Sequence, residues 1–350
     1  KFRPRRRPPR GYRRGKQGTQ LRTGVFLGMA WIPHSPHSAP REIISGCLRG
    51  NFVDASDGAI NYHLWGAGGP WRRPLIVTIH GLLGTMQTFA GMAARLVCHG
   101  YDVLTFDLFG FGLSDSPKKM FKTKLFVQQT LELLSLLGYA DDYQFQLVGF
   151  SMGGLVAMDL ASRHPERVRR LLLVAPAGLV PMSTLEQTGI SWLRLARALR
   201  IPVASWFGKS AWYRSFTSDQ FEPDIEDPER SFAVAEMHRE VYQSDPEKYS
   251  KAWLKSVRDM RLGDSREIYQ SLASSSVEVL FVWGDSDGTV PLDEVQHDLR
   301  HYFPKAPLIV VEGAGHGLLS CPEHLDAICV HAVRWFGVAF LPAAGYVRQS

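Results

Sequence analysis

Long hydrophobic runs are missing from this 350-residue chain. No window approaches the roughly 18 consecutive apolar residues of a membrane-spanning helix, so none is expected. Cysteine is scarce, with only Cys47, Cys98, Cys321 and Cys329. No two of them form a Cys-x-x-Cys pair and no Cys/His grouping has zinc spacing, which excludes a disulfide scaffold and a structural zinc site. Reduced thiols in a non-secreted protein are the reading this favours. Acidic residues are absent from the first 41 positions, where eleven Lys and Arg precede Glu42. The net charge of +6 is therefore local: the rest of the chain carries 29 basic and 34 acidic residues, a net of −5. A mildly acidic body argues against nucleic acid as a partner of the folded part.

What is present fits a globular protein, with 45% hydrophobic and 21% charged residues. Residues 1–44 are expected to be a disordered basic leader, because a stretch such as Arg5-Arg6-Arg7-Pro8-Pro9-Arg10 cannot build a core. An acid-free, Arg-rich segment followed by a small apolar patch, Val25 to Ile32, is what an organelle transit peptide looks like. That reading predicts an intracellular protein in an organelle such as the mitochondrion. A solvated tail on a cytoplasmic protein, touching anionic lipid or nothing, is the alternative.

From there the chain alternates. Leu48 to Val53 and Ile60 to Trp65 read as a hairpin around Ser56-Asp57-Gly58. Apolar strands follow at Leu75–Ile79, Val103–Phe106, Phe145–Val148 and Val168–Val174, separated by helical patterns at Met86–Cys98, Phe126–Leu137 and after Ser151. Two more strands, Val277–Trp283 and Leu308–Val311, come with helices at Leu292–Tyr302 and Pro322–Phe336. Near-continuous apolar strands alternating with helices predict an α/β fold, with a doubly wound, mostly parallel sheet of eight strands covered on both faces. The alternation breaks at 178–276, a segment holding Trp192, Trp206, Trp212 and Trp253, four of the nine tryptophans. It reads as a helical cap inserted between a first core part, 45–177, and a second, 277–338. Residues 339–350 form a tail.

The chemistry gathers around Phe145 to Gly154, Phe-Gln-Leu-Val-Gly-Phe-Ser-Met-Gly-Gly. A strand that becomes a helix within three residues forces a sharp turn with Ser151 at its apex. Gly149 and Gly153, lacking Cβ atoms, leave room for it. This Gly-x-Ser-x-Gly elbow lifts a serine hydroxyl above the sheet edge, with a helix N-terminus behind it to favour a developing anion. A serine hydroxyl needs a histidine base, and the histidine needs a carboxylate to fix its tautomer. In a doubly wound sheet these groups collect beyond the carboxyl ends of strands. Downstream of Ser151, Asp285 and Asp287 follow one strand and His316 follows the next. The residues alone leave the choice between the two aspartates open. His80 and His164 read as structural and surface histidines.

From about Phe52 to Phe336 the chain resembles the α/β-hydrolase-fold proteins with a helical cap. The resemblance rests on five pieces in order: His80-Gly81-Leu82-Leu83-Gly84, the Asp107 to Asp115 loop, the elbow, Trp283-Gly284-Asp285-Ser286-Asp287 with Pro291, and Gly313-Ala314-Gly315-His316. Within that fold it looks closest to the monoacylglycerol-lipase-like serine esterases. The family pattern selects Asp287 as the acid and leaves Asp285 as a turn residue. It also implies an oxyanion hole made by the backbone N–H groups of Leu82 and Met152. A serine at the elbow speaks against the haloalkane dehalogenase and epoxide hydrolase branches, which use aspartate there.

The resemblance therefore implies a hydrolase of apolar acyl esters, working through an acyl-enzyme on Ser151 with no metal or organic cofactor. Its partner would be a small apolar ester, with membrane-surface contact through the cap or the leader. Thioesterases, amidases and carbon–carbon bond hydrolases use the same triad, so they stay open. A ligand-binding protein that keeps the fold without turnover is a further alternative, against which the complete triad speaks.

Overall fold

The apolar runs become strands buried along their whole length. All five residues of Leu75–Ile79 are buried, as are six of the seven of Glu278–Gly284. The computed structural model describes residues 42–44, 47–66, 73–180 and 245–337. Its strands are β1 (Glu42–Ile44), β2 (Cys47–Arg49), β3 (Asn51–Ala55), β4 (Gly58–Trp65), β5 (Leu75–Ile79), β6 (Asp102–Phe106), β7 (Phe145–Phe150), β8 (Val168–Val174), β9 (Glu278–Gly284) and β10 (Leu308–Val311). The helices are a 3₁₀ turn at Met86–Phe89, then α1 (Ala90–Cys98), α2 (Thr123–Leu136), α3 (Met152–Arg163), α4 (Pro246–Asp259), α5 (Arg266–Ala273), α6 (Leu292–Tyr302) and α7 (Pro322–Phe336).

Eight strands form one sheet in the order β3-β4-β6-β5-β7-β8-β9-β10. Only β4 runs antiparallel to its neighbours in it; the remaining pairings are parallel. Successive strand residues feed opposite faces, as the pleat requires. Leu147, Leu171 and Leu173 join an apolar cluster under α2, α3 and α5. Val148, Leu172 and Val174 join a second cluster under α1 and α7. This is the doubly wound, mostly parallel α/β fold expected, and it places the carboxyl ends of β5, β7, β9 and β10 on one edge. Among the described residues, no helix is long and apolar enough to cross a membrane.

Three boundaries differ from the sequence reading. The strand expected over Leu48–Val53 is broken at Gly50, whose N–H donates to Asn61 Oδ1 at 2.9 Å. The residues before the break, in β2, pair instead with β1. Among the described residues, β1 (Glu42–Ile44) thus lies within the stretch assigned to the leader. Third, α5 lies inside the expected cap but packs on α3 as part of the β8-to-β9 crossover. Its Tyr269 hydroxyl donates to the Ala177 carbonyl at 2.8 Å, and Leu155 and Tyr269 close around Gly178. Leader residues 1–41, the cap tryptophans Trp192, Trp206 and Trp212, and tail residues 339–350 lie outside the described residues. Trp253, on α4, is buried.

Candidate active site

At the elbow between β7 and α3, Ser151 has φ 51° and ψ −121° and is 9% exposed. Only three described non-glycine residues have positive φ: Leu83, Ser151 and Ala175. All three stand just beyond the ends of the central strands β5, β7 and β8. Strain held by surrounding hydrogen bonds is concentrated at this edge. Ser151 N–H donates to the Val174 carbonyl at 3.0 Å, and Ser151 O accepts from Gly154 N–H at 2.9 Å and Ala177 N–H at 3.1 Å. A Cβ on Gly153 would stand 2.2 Å from the Ile79 carbonyl oxygen and 2.4 Å from that of His80. Glycine at this position is therefore a steric requirement, and it sets the loop after β5 directly against the elbow.

The two loops on the far side of the sheet bring in the other groups. His316 Nε2 lies 3.0 Å from Ser151 Oγ, and His316 Nδ1 lies 2.8 Å from Asp287 Oδ2. His316 and Asp287 are both buried, at 1% and 4% exposure. An ionised carboxylate can only accept, so Nδ1 carries the proton and Nε2 is left to accept from the serine hydroxyl. Asp287 Oδ1 is itself fixed, accepting from Thr289 N–H at 2.9 Å and Val290 N–H at 2.7 Å. The structure thus brings together Ser151, Asp287 and His316, residues 165 and 29 positions apart along the chain. Asp285 points elsewhere: it is exposed, and its Oδ1 accepts from Gly313 N–H at 2.9 Å, tying the loops after β9 and β10 together.

The loop that carries Leu82 and the start of α3 at Met152 both adjoin Ser151. Met152 is the first residue of α3, whose leading N–H groups have no partner within the helix. Leu82 belongs to a turn closed by Gly84 N–H donating to Gly81 O at 3.1 Å. A Cβ on Gly81 would reach within 3.0 Å of Ser151 Cβ, so this turn lies against the elbow.

His80 takes no part in the proton path. Its Nε2 accepts from Leu108 N–H at 2.9 Å and its Nδ1–H donates to Gly81 O at 2.8 Å. It braces the Leu82 turn on the loop after β6. Complete burial pulls its pKa from 6.5 down to about 4, against a small opposing effect of the Gly81 carbonyl. The unfolded chain protonates this ring near its ordinary value, so stability present above pH 6.5 is lost as the pH falls to about 4. The loss is about 3 kcal/mol. Urea midpoints should therefore drop between pH 7 and pH 4.5, and the drop should be smaller in His80→Gln. An equal drop in both would contradict this account. His164 sits at the opposite end of α3 from Ser151, with Nδ1 3.5 Å from Glu166 Oε1.

Two residues matter here to which motif reading assigned no role. Phe150 lays its ring on the His316 imidazole, with centroids 5.0 Å apart and planes at 34°. Its only signal in the sequence is its place before the serine. Asp107, wholly buried, anchors the loop after β6. Its Oδ1 accepts from Met86 N–H at 2.7 Å, and its Oδ2 accepts from Asn61 Nδ2 at 2.7 Å and Leu113 N–H at 2.8 Å. Burial raises its pKa, and these bonds oppose the rise. Among the described residues, no group of three or more His, Cys, Asp or Glu side chains could hold a metal ion.

Comparison with known proteins places the fold. Residues 74–320 match the family model for the alpha/beta hydrolase fold. Lipase 1 of Psychrobacter immobilis is 25% identical over 252 residues, covering 69% of this chain and 71% of that protein. The 2-hydroxymuconate semialdehyde hydrolase of a Pseudomonas species is 34% identical over a shorter stretch, 42% of this chain and 47% of the relative. Among solved structures, MGS-M2, an alpha/beta hydrolase enzyme from a Medee basin deep-sea metagenome library, superposes with a TM-score of 0.65. That alignment covers 83% of this chain and 98% of the other at 17% identity, a likeness of fold.

Proposed function

The chain belongs to the α/β hydrolase fold family, and we propose that within it the protein is a serine hydrolase cleaving carboxylic esters of apolar acyl chains, of the monoacylglycerol kind. The observation that carries this reading is the unbroken hydrogen-bonded line from Ser151 Oγ through both imidazole nitrogens of His316 to Asp287. Ser151 attacks the ester carbonyl while His316 Nε2 takes the hydroxyl proton. Asp287 stabilises the imidazolium. The N–H groups of Leu82 and Met152 receive the developing oxyanion. His316 then protonates the departing alcohol, leaving an acyl-enzyme on Ser151. Water, deprotonated by the same imidazole, releases the acid and restores the serine.

The lipase relative, aligned over 69% of the chain, supports an ester substrate, and the semialdehyde hydrolase, 34% identical over 42% of it, keeps carbon–carbon bond cleavage as the alternative. Thioesters and amides would meet the same nucleophile and differ only in the leaving group. A chain-length series of p-nitrophenyl esters tests the acyl preference, with kcat/KM expected to be higher for octanoyl than for acetyl. Acetyl esters turned over far faster than octanoyl ones would contradict the lipase-like assignment. A parallel panel of acyl-CoA, amide and dienone substrates ranks the leaving-group classes.

A further inference from the structure

The loop between β6 and α2 and the outer face of α4 enclose an open groove of about 750 Å³. Six cationic side chains line it, Lys118, Lys119, Lys248, Lys251, Lys255 and Arg258, against two acids, Asp245 and Glu247. The exposed Lys122 and Lys124 continue the basic surface along the chain. The concentration is local, since the chain beyond residue 41 has a net charge of −5. Three of these cations carry an acid partner, Glu247 on Lys251, Asp259 on Arg258 and Asp57 on Lys119, so the excess positive charge rests on Lys118, Lys122, Lys124 and Lys255.

The groove is built on a fixed frame. Lys248 Nζ donates to Gly112 O at 2.8 Å and Lys255 Nζ donates to Pro117 O at 2.8 Å. Lys255 also lies 4.5 Å over the ring of Phe121, whose N–H donates to Asp259 Oδ2 at 3.0 Å. Burial lowers the Lys255 pKa, and Arg258 and Lys251 push the same way against Asp259, so the cations crowd one another. On the rim of this held loop stands Met120, 47% exposed. It is one of five large apolar side chains exposed among the described residues, and the one ringed by lysines at 118, 119, 122 and 124. Cations around an outward apolar tip match an anionic bilayer surface, where ammonium groups meet headgroups and the apolar tip enters the acyl boundary. A nucleic acid would use the charge but has no need of the methionine.

We infer that this face, with Lys118, Lys122, Lys251 and Met120 at its contact points, docks the protein on a bilayer containing anionic phospholipid. The inference stands apart from the hydrolase reading, because it concerns binding alone and its test needs no turnover.

The test is co-sedimentation of the full-length chain with vesicles of phosphatidylcholine, with or without phosphatidylglycerol. Arg5, Arg6, Arg7, Arg10, Arg13 and Arg14 are changed to Gln throughout so that these arginines supply no charge. Binding is expected only with phosphatidylglycerol. Lys118→Gln/Lys122→Gln/Lys251→Gln should lower the partition coefficient about 100-fold. Met120→Ser should lower it about tenfold. An unchanged thermal midpoint shows that each variant is folded. Partition unaffected by the lysine changes overturns the proposal. So does a loss that follows the lysines but ignores Met120→Ser while a labelled single-stranded oligonucleotide binds as tightly as the vesicles, which would assign the groove to a soluble polyanion.

Discussion

Ser151→Ala should abolish ester hydrolysis, lowering kcat by about a millionfold while leaving KM for an octanoyl ester within a few-fold. The size of the effect follows from the chemistry removed. Alanine has no oxygen to form the acyl-enzyme, and water placed near His316 is a poor, unpositioned substitute. The substitution itself is small. The strained backbone at position 151 is held by its N–H donating to Val174 O and its carbonyl accepting from Gly154 and Ala177 N–H, all through main-chain atoms that alanine keeps. Folding should therefore be intact, with an unchanged circular dichroism spectrum. Residual turnover close to the wild-type rate would mean that the reaction runs through another group.

Asp287→Asn should lower kcat by about ten-thousandfold, while Asp285→Asn leaves it within a few-fold. The contrast comes from where each carboxylate points. Asp287 Oδ1 accepts two backbone N–H groups, from Thr289 and Val290. An asparagine must put its carbonyl oxygen there, because an amide NH₂ facing two donors would leave all three unpaired. Its NH₂ then faces His316 Nδ1 and donates to it. The imidazole is forced to carry its proton on Nε2, where it opposes the serine hydroxyl and cannot take its proton. Asp285 Oδ1 accepts from Gly313 N–H and from the Ser286 hydroxyl, and asparagine keeps that acceptor. Steady-state kinetics on the two variants separates these roles. Equal losses would show that the acid is not the one hydrogen-bonded to His316.

The same comparison shows what the sequence could and could not convey. The central strands were legible because both faces are buried and the apolar runs are nearly continuous. The elbow was legible because a serine at a sharp turn demands glycine where β5 passes closest. The two aspartates could not be separated by residue type, lying two positions apart in one loop. What separates them is direction and burial, which depend on the loop after β10 meeting the loop after β9. Leu83 and Ala175 take positive φ without being glycine or asparagine, so no local signal marked them. The packing of α5 was not legible, because the helix carries the amphipathic pattern of any surface helix. Its packing against Leu155 of α3 and the bond from the Tyr269 hydroxyl to the Ala177 carbonyl, just after β8, tie it to the sheet. The basic groove was hidden for the same reason, since lysines near position 118 and near position 251 meet only after folding.

The most direct measurement is the mass and location of a covalent adduct formed by a fluorophosphonate that mimics the acylated serine. One phosphonyl group per chain, mapped to the peptide carrying Ser151 and absent from Ser151→Ala, is the predicted result. An adduct of the same stoichiometry on the Ser151→Ala chain, or one mapped to a different residue, would contradict the account at its root.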